Sequence, residues 1–283
     1  MSNDGFFSEG DRIQLTDPKG KMYTFTIQAG KEWHTHKGWI SHSDLIGMPE
    51  GSVVSTNAGL RFTAFKPLLG DFVLSMPRGA TIVYPKDAAM IIGVADIFPG
   101  AKVIEAGVGS GALSISLLRA IGNSGELVSF ERREEFAHIA RENVKTYFGT
   151  LPDNWKLMLG SVQEYAPQKK YDRVVLDMLA PWECVAFAAE VLRPGGVFLA
   201  YVATTTQLSS TAEALKEDGR FTEPLSSETI VRDWHHEGLA VRPMQRMIGH
   251  TGFLIVSRRM APGVDVLPRR RRPSKGAYGV AEE

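Results

Sequence analysis

The stretch "VIEAGVGSG", Val103–Gly111, constrains this chain more than any other. Short apolar residues run into an acid, and glycines follow at alternate positions: Gly107, Gly109 and Gly111. The apolar run reads as a strand and "GALSISLLRAIG" after it as a helix, so the glycines occupy a strand-to-helix turn. Glycine there permits positive φ and lets a ligand approach bare backbone. Through Ala112 the stretch also fits G-x-G-x-x-A, which leaves a dinucleotide-binding reading open. No Gly-Lys-Ser/Thr follows, which excludes a P-loop.

The surrounding segments alternate in period. "GELVSFE", "YDRVVLDM" and "GGVFLAYVA" read as strands, and "REEFAHIARENVKTYFG", "PWECVAFAAEVL" and "TTTQLSSTAEALKED" as helices. "YPKDAAMIIGVADIF" also has helical spacing, with Asp87 near its start. This pattern predicts an α/β, doubly wound, Rossmann-like sheet. At its end "HEGLAVRPM" and "TGFLIVSRRM" are joined by "QRMIGH", too short for a helical crossover, which predicts a C-terminal antiparallel pair. Upstream, "DRIQLTD", "MYTFTIQAG" and "SVVSTNAGLRFTAF" alternate around turn signals and predict a small β-rich domain ending near "PLLGDFVLSM". The expected organisation is therefore a β domain over 1–75, a sheet domain over 76–261 and a tail over 262–283. The tail lacks apolar periodicity and carries the basic run Arg269–Lys275; it is predicted to be disordered, with unspecific phosphate attraction.

Lysine plus arginine and aspartate plus glutamate both number 32, so net charge alone implies no acidic partner. A lone cysteine, Cys184, precludes an intrachain disulfide and fits a reducing, cytoplasmic setting. The opening "MSNDGFFSEGDR" lacks the basic and apolar regions of a signal peptide. No apolar run nears the ~18 residues of a membrane span. His34, His36 and His42 lack further ligands at metal spacing, and no metal site is expected.

Three features decide what the glycines hold. Glu105 lies two residues before the first glycine, where an acid repels a pyrophosphate but suits a sulfonium or an amino group. Glu131 ends the next strand, about twenty residues on, where a carboxylate accepts ribose hydroxyls. NAD and S-adenosylmethionine share that second feature. "LRPGGVFLAYV" followed by an antiparallel pair is characteristic of class I methyltransferases and foreign to NAD domains.

"VIEAGVGSGALS" with "FERREEFAHIARENV" resembles the cofactor half of those enzymes. More specifically, "GKEWHTHKGWISHSDLIG", "TIVYPKDAAMII" and "LDMLAPW" resemble the bacterial and archaeal tRNA adenine-58 N1-methyltransferase family, over roughly residues 8–260. The resemblance implies S-adenosylmethionine, a tRNA T-loop substrate, a homotetramer, and neither membrane nor metal. By motif position it assigns Ser110, Gly111, Ala112 and Leu113 to the methionine end, Glu131 to the ribose and "LGSVQEY" to the adenine. Ser161 stands where many methyltransferases carry an aspartate, which leaves the adenine contact to backbone of Ser161 and Val162, or to Gln163.

Asp177 closes "YDRVVLD", at the sheet edge that faces the ligand crevice. Adenine N1 has a lone pair and needs no base. Its methylation charges the ring, and a carboxylate accepting from the exocyclic amine favours that charge. Tyr84 and Tyr201 are aromatic candidates to bracket the base. The plainer alternatives are a helix cap for Asp177, a turn-pinning role for Tyr84, a core role for Tyr201, and for Glu105 a structural role on the glycine-loop amides. Two other functions compete: a class I methyltransferase with another RNA, protein or small-molecule substrate, and a non-catalytic RNA-binding subunit.

Overall fold

The structure is a computed structural model in which residues 5–264, 266 and 267 are described. The basic run Arg269–Lys275 lies outside the described residues. The N-terminal region contains β1 (Arg12–Thr16), β2 (Met22–Thr26), β3 (Glu32–Thr35), β4 (Gly38–Ser41), the single-turn α1 (His42–Leu45), β5 (Ser52–Ser55) and β6 (Arg61–Phe65). Four of these strands form an antiparallel sheet ordered β2-β1-β6-β5. Alternation drives it: Ile13, Leu15, Phe62 and Ala64 point inward to a core of their own with Phe7, Ile27 and Leu45.

The larger region continues with α2 (Leu69–Ser75), α3 (Pro85–Val94), β7 (Lys102–Ala106), α4 (Ala112–Ile121), β8 (Glu126–Glu131), α5 (Glu134–Phe148), β9 (Trp155–Leu159), β10 (Tyr171–Asp177), α6 (Val185–Val191), β11 (Leu192–Val202) and α7 (Thr205–Asp218). It ends with β12 (Leu225–Glu228), β13 (Trp234–Glu237), β14 (Ala240–Pro243) and β15 (Phe253–Arg258). Seven strands make one sheet, ordered β12-β15-β11-β10-β7-β8-β9. From β9 to β11 neighbours run parallel, and β15 runs antiparallel to both β11 and β12. Separate apolar clusters cover its two faces, one led by α2–α5 and the other by α6 and α7. The chain moves outward in opposite directions from β7, so the β7–β10 junction is the topological switch point, where open α/β sheets bind ligands.

Two expectations about segments need correction. "PLLGDFVLSM" is not the last of the β domain: it forms α2, and Phe72, Val73 and Met76 pack into the core under α3 and α4. Nor does "HEGLAVRPM" pair with "TGFLIVSRRM". The former folds back on itself as β13–β14, and β15 inserts between β11 and β12. The antiparallel pair at the sheet's end is thus β12–β15.

Candidate active site

The glycine turn sits over the switch point. Gly107, Gly109 and Gly111 all have positive φ. At Gly107 there is also no room: a Cβ there would lie 2.7 Å from the Asp177 carbonyl carbon. Gly111 serves packing, since its Cβ would come within 3.3 Å of Ala140 on α5. Asn143 of α5 fastens the turn by donating to the carbonyls of Ser110 at 2.9 Å and Pro77 at 2.7 Å.

Two cavities flank this turn. One, of about 570 Å³, is lined by Gly107, Phe130, Glu131, Gly160, Val162 and Asp177, among others. The second, about 370 Å³, lies toward Tyr84, Tyr201, Ala203, Gln207 and Thr251, and Gly109 borders it. Gly107, Glu131, Arg133, Asp177, Met178 and Leu179 line both. Asp177 and Tyr201 are direct register partners across β10 and β11, which puts both side chains at the same edge.

Glu131 is held by backbone. Its Oε2 accepts from Gly109 N at 3.0 Å, and Oε1 accepts from Arg132 N at 3.0 Å and Arg133 N at 3.1 Å. Oε2 keeps acceptor capacity toward the cavity. Asp177 makes no cap: the 3₁₀ turn Pro181–Cys184 and α6 begin at Ala180 and Cys184 without side-chain caps. Burial, then the charge of Glu131, raises the Asp177 carboxyl to about 7.

Glu105 is wholly buried and lines neither cavity. Its Oε2 accepts from Ser114 Oγ at 2.7 Å and Ser129 Oγ at 2.6 Å, while Oε1 has no partner. Side-chain hydroxyls, not loop amides, therefore hold it. Burial raises it to about 7 against the pull of those hydroxyls, and the charges of Asp177 and Glu131 push the same way. Three mutually repelling carboxyls beside a bare-backbone turn disfavour an anionic ligand and favour a cationic one.

Other expected residues fall elsewhere. Ser110, Gly111, Ala112 and Leu113 line neither cavity; Ala112 and Leu113 face the core under α4. Ser161 donates to Gln163 Oε1 at 2.5 Å and accepts from Arg132 at 3.3 Å, beside the cavity instead of in its wall. Tyr84 is the N-cap residue of α3 without a capping side-chain bond, and it borders the second cavity. His42 accepts from Gln28 N at 3.1 Å and stacks on Phe25, and burial lowers its pKa. His235 and His236 belong to β13. Among the described residues there is no cluster fit for a metal, and no helix is long and apolar enough to cross a membrane.

Sequence reasoning passed over Arg133, Gln207, Lys86 and Thr251. Gln207 was legible as the N3 residue of a capping box whose N-cap is Thr204. Thr251 had no local signal; its partner Asp87 lies 164 residues away.

Comparison with known proteins follows the same division. A family profile described as TrmI-like N-terminal matches residues 5–54, and one described as tRNA methyltransferase complex GCD14 subunit matches residues 67–237. The tRNA (adenine(58)-N(1))-methyltransferase TrmI of Thermus thermophilus is 33% identical over 252 residues, covering 87% of this chain and 96% of that relative. This chain belongs to the TrmI-like methyltransferase family. Another member, the tRNA (adenine(57)-N(1)/adenine(58)-N(1))-methyltransferase TrmI of Methanocaldococcus jannaschii, is 32% identical, with 86% and 93% covered. The fold matches a crystal structure of an S-adenosylmethionine-dependent O-methyltransferase from Thermotoga maritima with a TM-score of 0.85 at 30% identity, over 95% and 97% of the two chains. It also matches the TrmI of Aquifex aeolicus, with a TM-score of 0.79 at 24% identity over 90% and 99%. The family's class I fold, with a β-rich N-terminal region and an antiparallel pair at the sheet's end, is the architecture described above.

Proposed function

We propose that this protein transfers a methyl group from S-adenosylmethionine to N1 of adenine 58 in the T-loop of tRNA. What supports this most is one observation: Asp177 stands in the wall shared by the two cavities, beside Gly107 and opposite Tyr201. One cavity fits the cofactor. It joins a positive-φ glycine cradle, a carboxylate at the end of β8, and a cluster of acids that favours cationic ligands. S-adenosylmethionine supplies an electrophilic methyl on a sulfonium. Glu131 would hold the ribose hydroxyls, Gly160 and Val162 would flank the adenine, and Glu105 would set the field beneath the methionine end. Tyr84 and Tyr201 would bracket the target base, and Asp177 would accept from its exocyclic amine as positive charge grows on the ring.

Two measurements check this. Glu131→Ala is expected to weaken S-adenosylhomocysteine binding by about 1.5–3 kcal/mol in calorimetry, the worth of charge-assisted hydrogen bonds. Unchanged affinity in the folded variant would remove Glu131 from the ribose. For position, a tRNA transcript with guanine in place of adenine 58 is expected to accept no methyl. Continued transfer would point to a neighbouring adenine, as the name of the Methanocaldococcus jannaschii relative includes.

The proposed assembly is a homotetramer acting in the cytoplasm. Exposed Trp234, Leu239, Val241 and Met244 on and beside β13–β14 give it apolar surface to cover, and Cys184 is free and buried. Light scattering at four times the chain mass is the expected result.

A further inference from the structure

We propose that Asp87, locked by Lys86 and Thr251, is a positioning residue that makes the Tyr201 phenol a hydrogen-bond acceptor toward the second cavity. The inference rests on the reading that this cavity takes the target base.

Asp87 is 1% exposed, in the first turn of α3. Its Oδ1 accepts from Lys86 Nζ at 2.8 Å, and its Oδ2 accepts from Thr251 Oγ1 at 2.6 Å and from Tyr201 Oη at 3.4 Å. Lys86 Nζ also donates to Thr251 Oγ1 at 2.6 Å and to the Thr229 carbonyl at 2.7 Å. Counting protons assigns donors and acceptors in this network, in which the Thr251 hydroxyl also neighbours the Tyr201 phenol. An ammonium only donates and has three protons, all of them used. Thr251 therefore accepts from Lys86, and its own proton goes to Asp87. A carboxylate paired with an ammonium only accepts, so the remaining partner, the Tyr201 phenol, donates.

With its one proton on Asp87, Tyr201 has only lone pairs to offer the cavity. Those lone pairs suit an exocyclic amine and a ring that is becoming cationic, as the neighbouring Asp177 carboxylate does. The ring is fixed as well as the proton. A Cβ at Gly252 would lie 2.7 Å from Tyr201 Oη, so the bare backbone of the loop before β15 packs close against the phenol and a side chain there would displace it. The 3.4 Å donation is longer than the ordinary O–H···O distance of about 2.8 Å. Such bonds commonly tighten when substrate fills a site.

A double-mutant cycle tests the proposal, with kcat read on tRNA at saturating S-adenosylmethionine and tRNA. Asp87→Asn puts an amide donor beside the phenol. It is expected to lower kcat about tenfold in the parent, with KM for tRNA within about threefold, and by less than about twofold in a Tyr201→Phe background. An equal loss in both backgrounds would overturn the proposal. Thr251→Val is the second route should Asp87→Asn not fold, and Thr251→Ser is expected to restore the parent rate. Independently of activity, a spectrum of protein labelled with ¹³Cζ-tyrosine carries seven signals, and Tyr201→Phe assigns one of them. That signal is expected to move in Asp87→Asn and Thr251→Val; an unmoved signal would overturn the proposal. Failure of the unaltered protein to methylate tRNA would refute the function and leave the spectrum to decide the positioning.

Discussion

Asp177→Ala is expected to lower kcat ten- to a thousandfold with both substrates saturating, the range for losing a group aimed at charge that develops in the transition state. Asp177→Asn, which keeps the size and loses the charge, should fall less far. The reason lies in placement: the carboxylate is in the wall common to both cavities, caps no helix, and is next to Tyr201 across the sheet. Cofactor affinity is measured separately, since Asp177 borders that cavity too. A saturated rate equal to the parent's in folded Asp177→Ala would make the residue a spacer. The same substitution has a stability signature of fixed sign. The carboxyl is raised from 3.8 to about 7 by burial and by Glu131, so between those values the folded chain holds a proton the unfolded chain has lost. Stability then falls as pH rises through that window. Without ligand, Asp177→Asn is expected to melt at higher temperature than the parent at pH 8, and at the same temperature near pH 3. A lower melting temperature at pH 8 would show that the buried charge is compensated.

Gly107→Ala is expected to cost about 3 kcal/mol or more, from a methyl driven into backbone and a non-glycine residue at positive φ. Its φ is +86° and its added Cβ meets the Asp177 carbonyl group, two strands' ends that cannot separate without opening the switch point. Gly109→Ala is the control. Its φ is also positive, at +53°, but its Cβ would meet only Ala80 Cβ at 3.7 Å. Strain alone then costs roughly 1–2 kcal/mol. Thermal melts should rank parent, Gly109→Ala and Gly107→Ala in falling order; equal losses in the two variants would mean that φ, not the Asp177 carbonyl, demands Gly107.

What could be read in the chain was whatever strand ends declare. Glu131, Asp177 and Tyr201 each fall at or near the C-terminal end of an apolar strand, and a parallel sheet gathers such ends at one edge. The glycine spacing marked the turn but not which of its residues face a ligand. Ala112 and Leu113 begin a helix that is buried along nearly its whole length, and the core took them. The edge beyond β11 was misread for two physical reasons. β12, "LSSE", is exposed throughout and has no apolar period to announce it. The strands of "HEGLAVRPM" are linked by Gly238 and Leu239 alone, with positive φ at Gly238, so a two-residue hairpin was hidden inside what looked like one strand. The network on Asp87 was out of reach for another reason: Lys86, Thr229 and Thr251 meet only because β15 returns to the sheet beside β11.

The most direct test is the nucleoside composition of an unmodified tRNA transcript after incubation with this protein and S-adenosylmethionine, resolved by liquid chromatography and mass spectrometry against authentic standards. The expected product is 1-methyladenosine, approaching one per tRNA and absent without the protein. Recovery of the transcript with no methylated nucleoside, or with the methyl on a ribose oxygen or another base, would contradict the account.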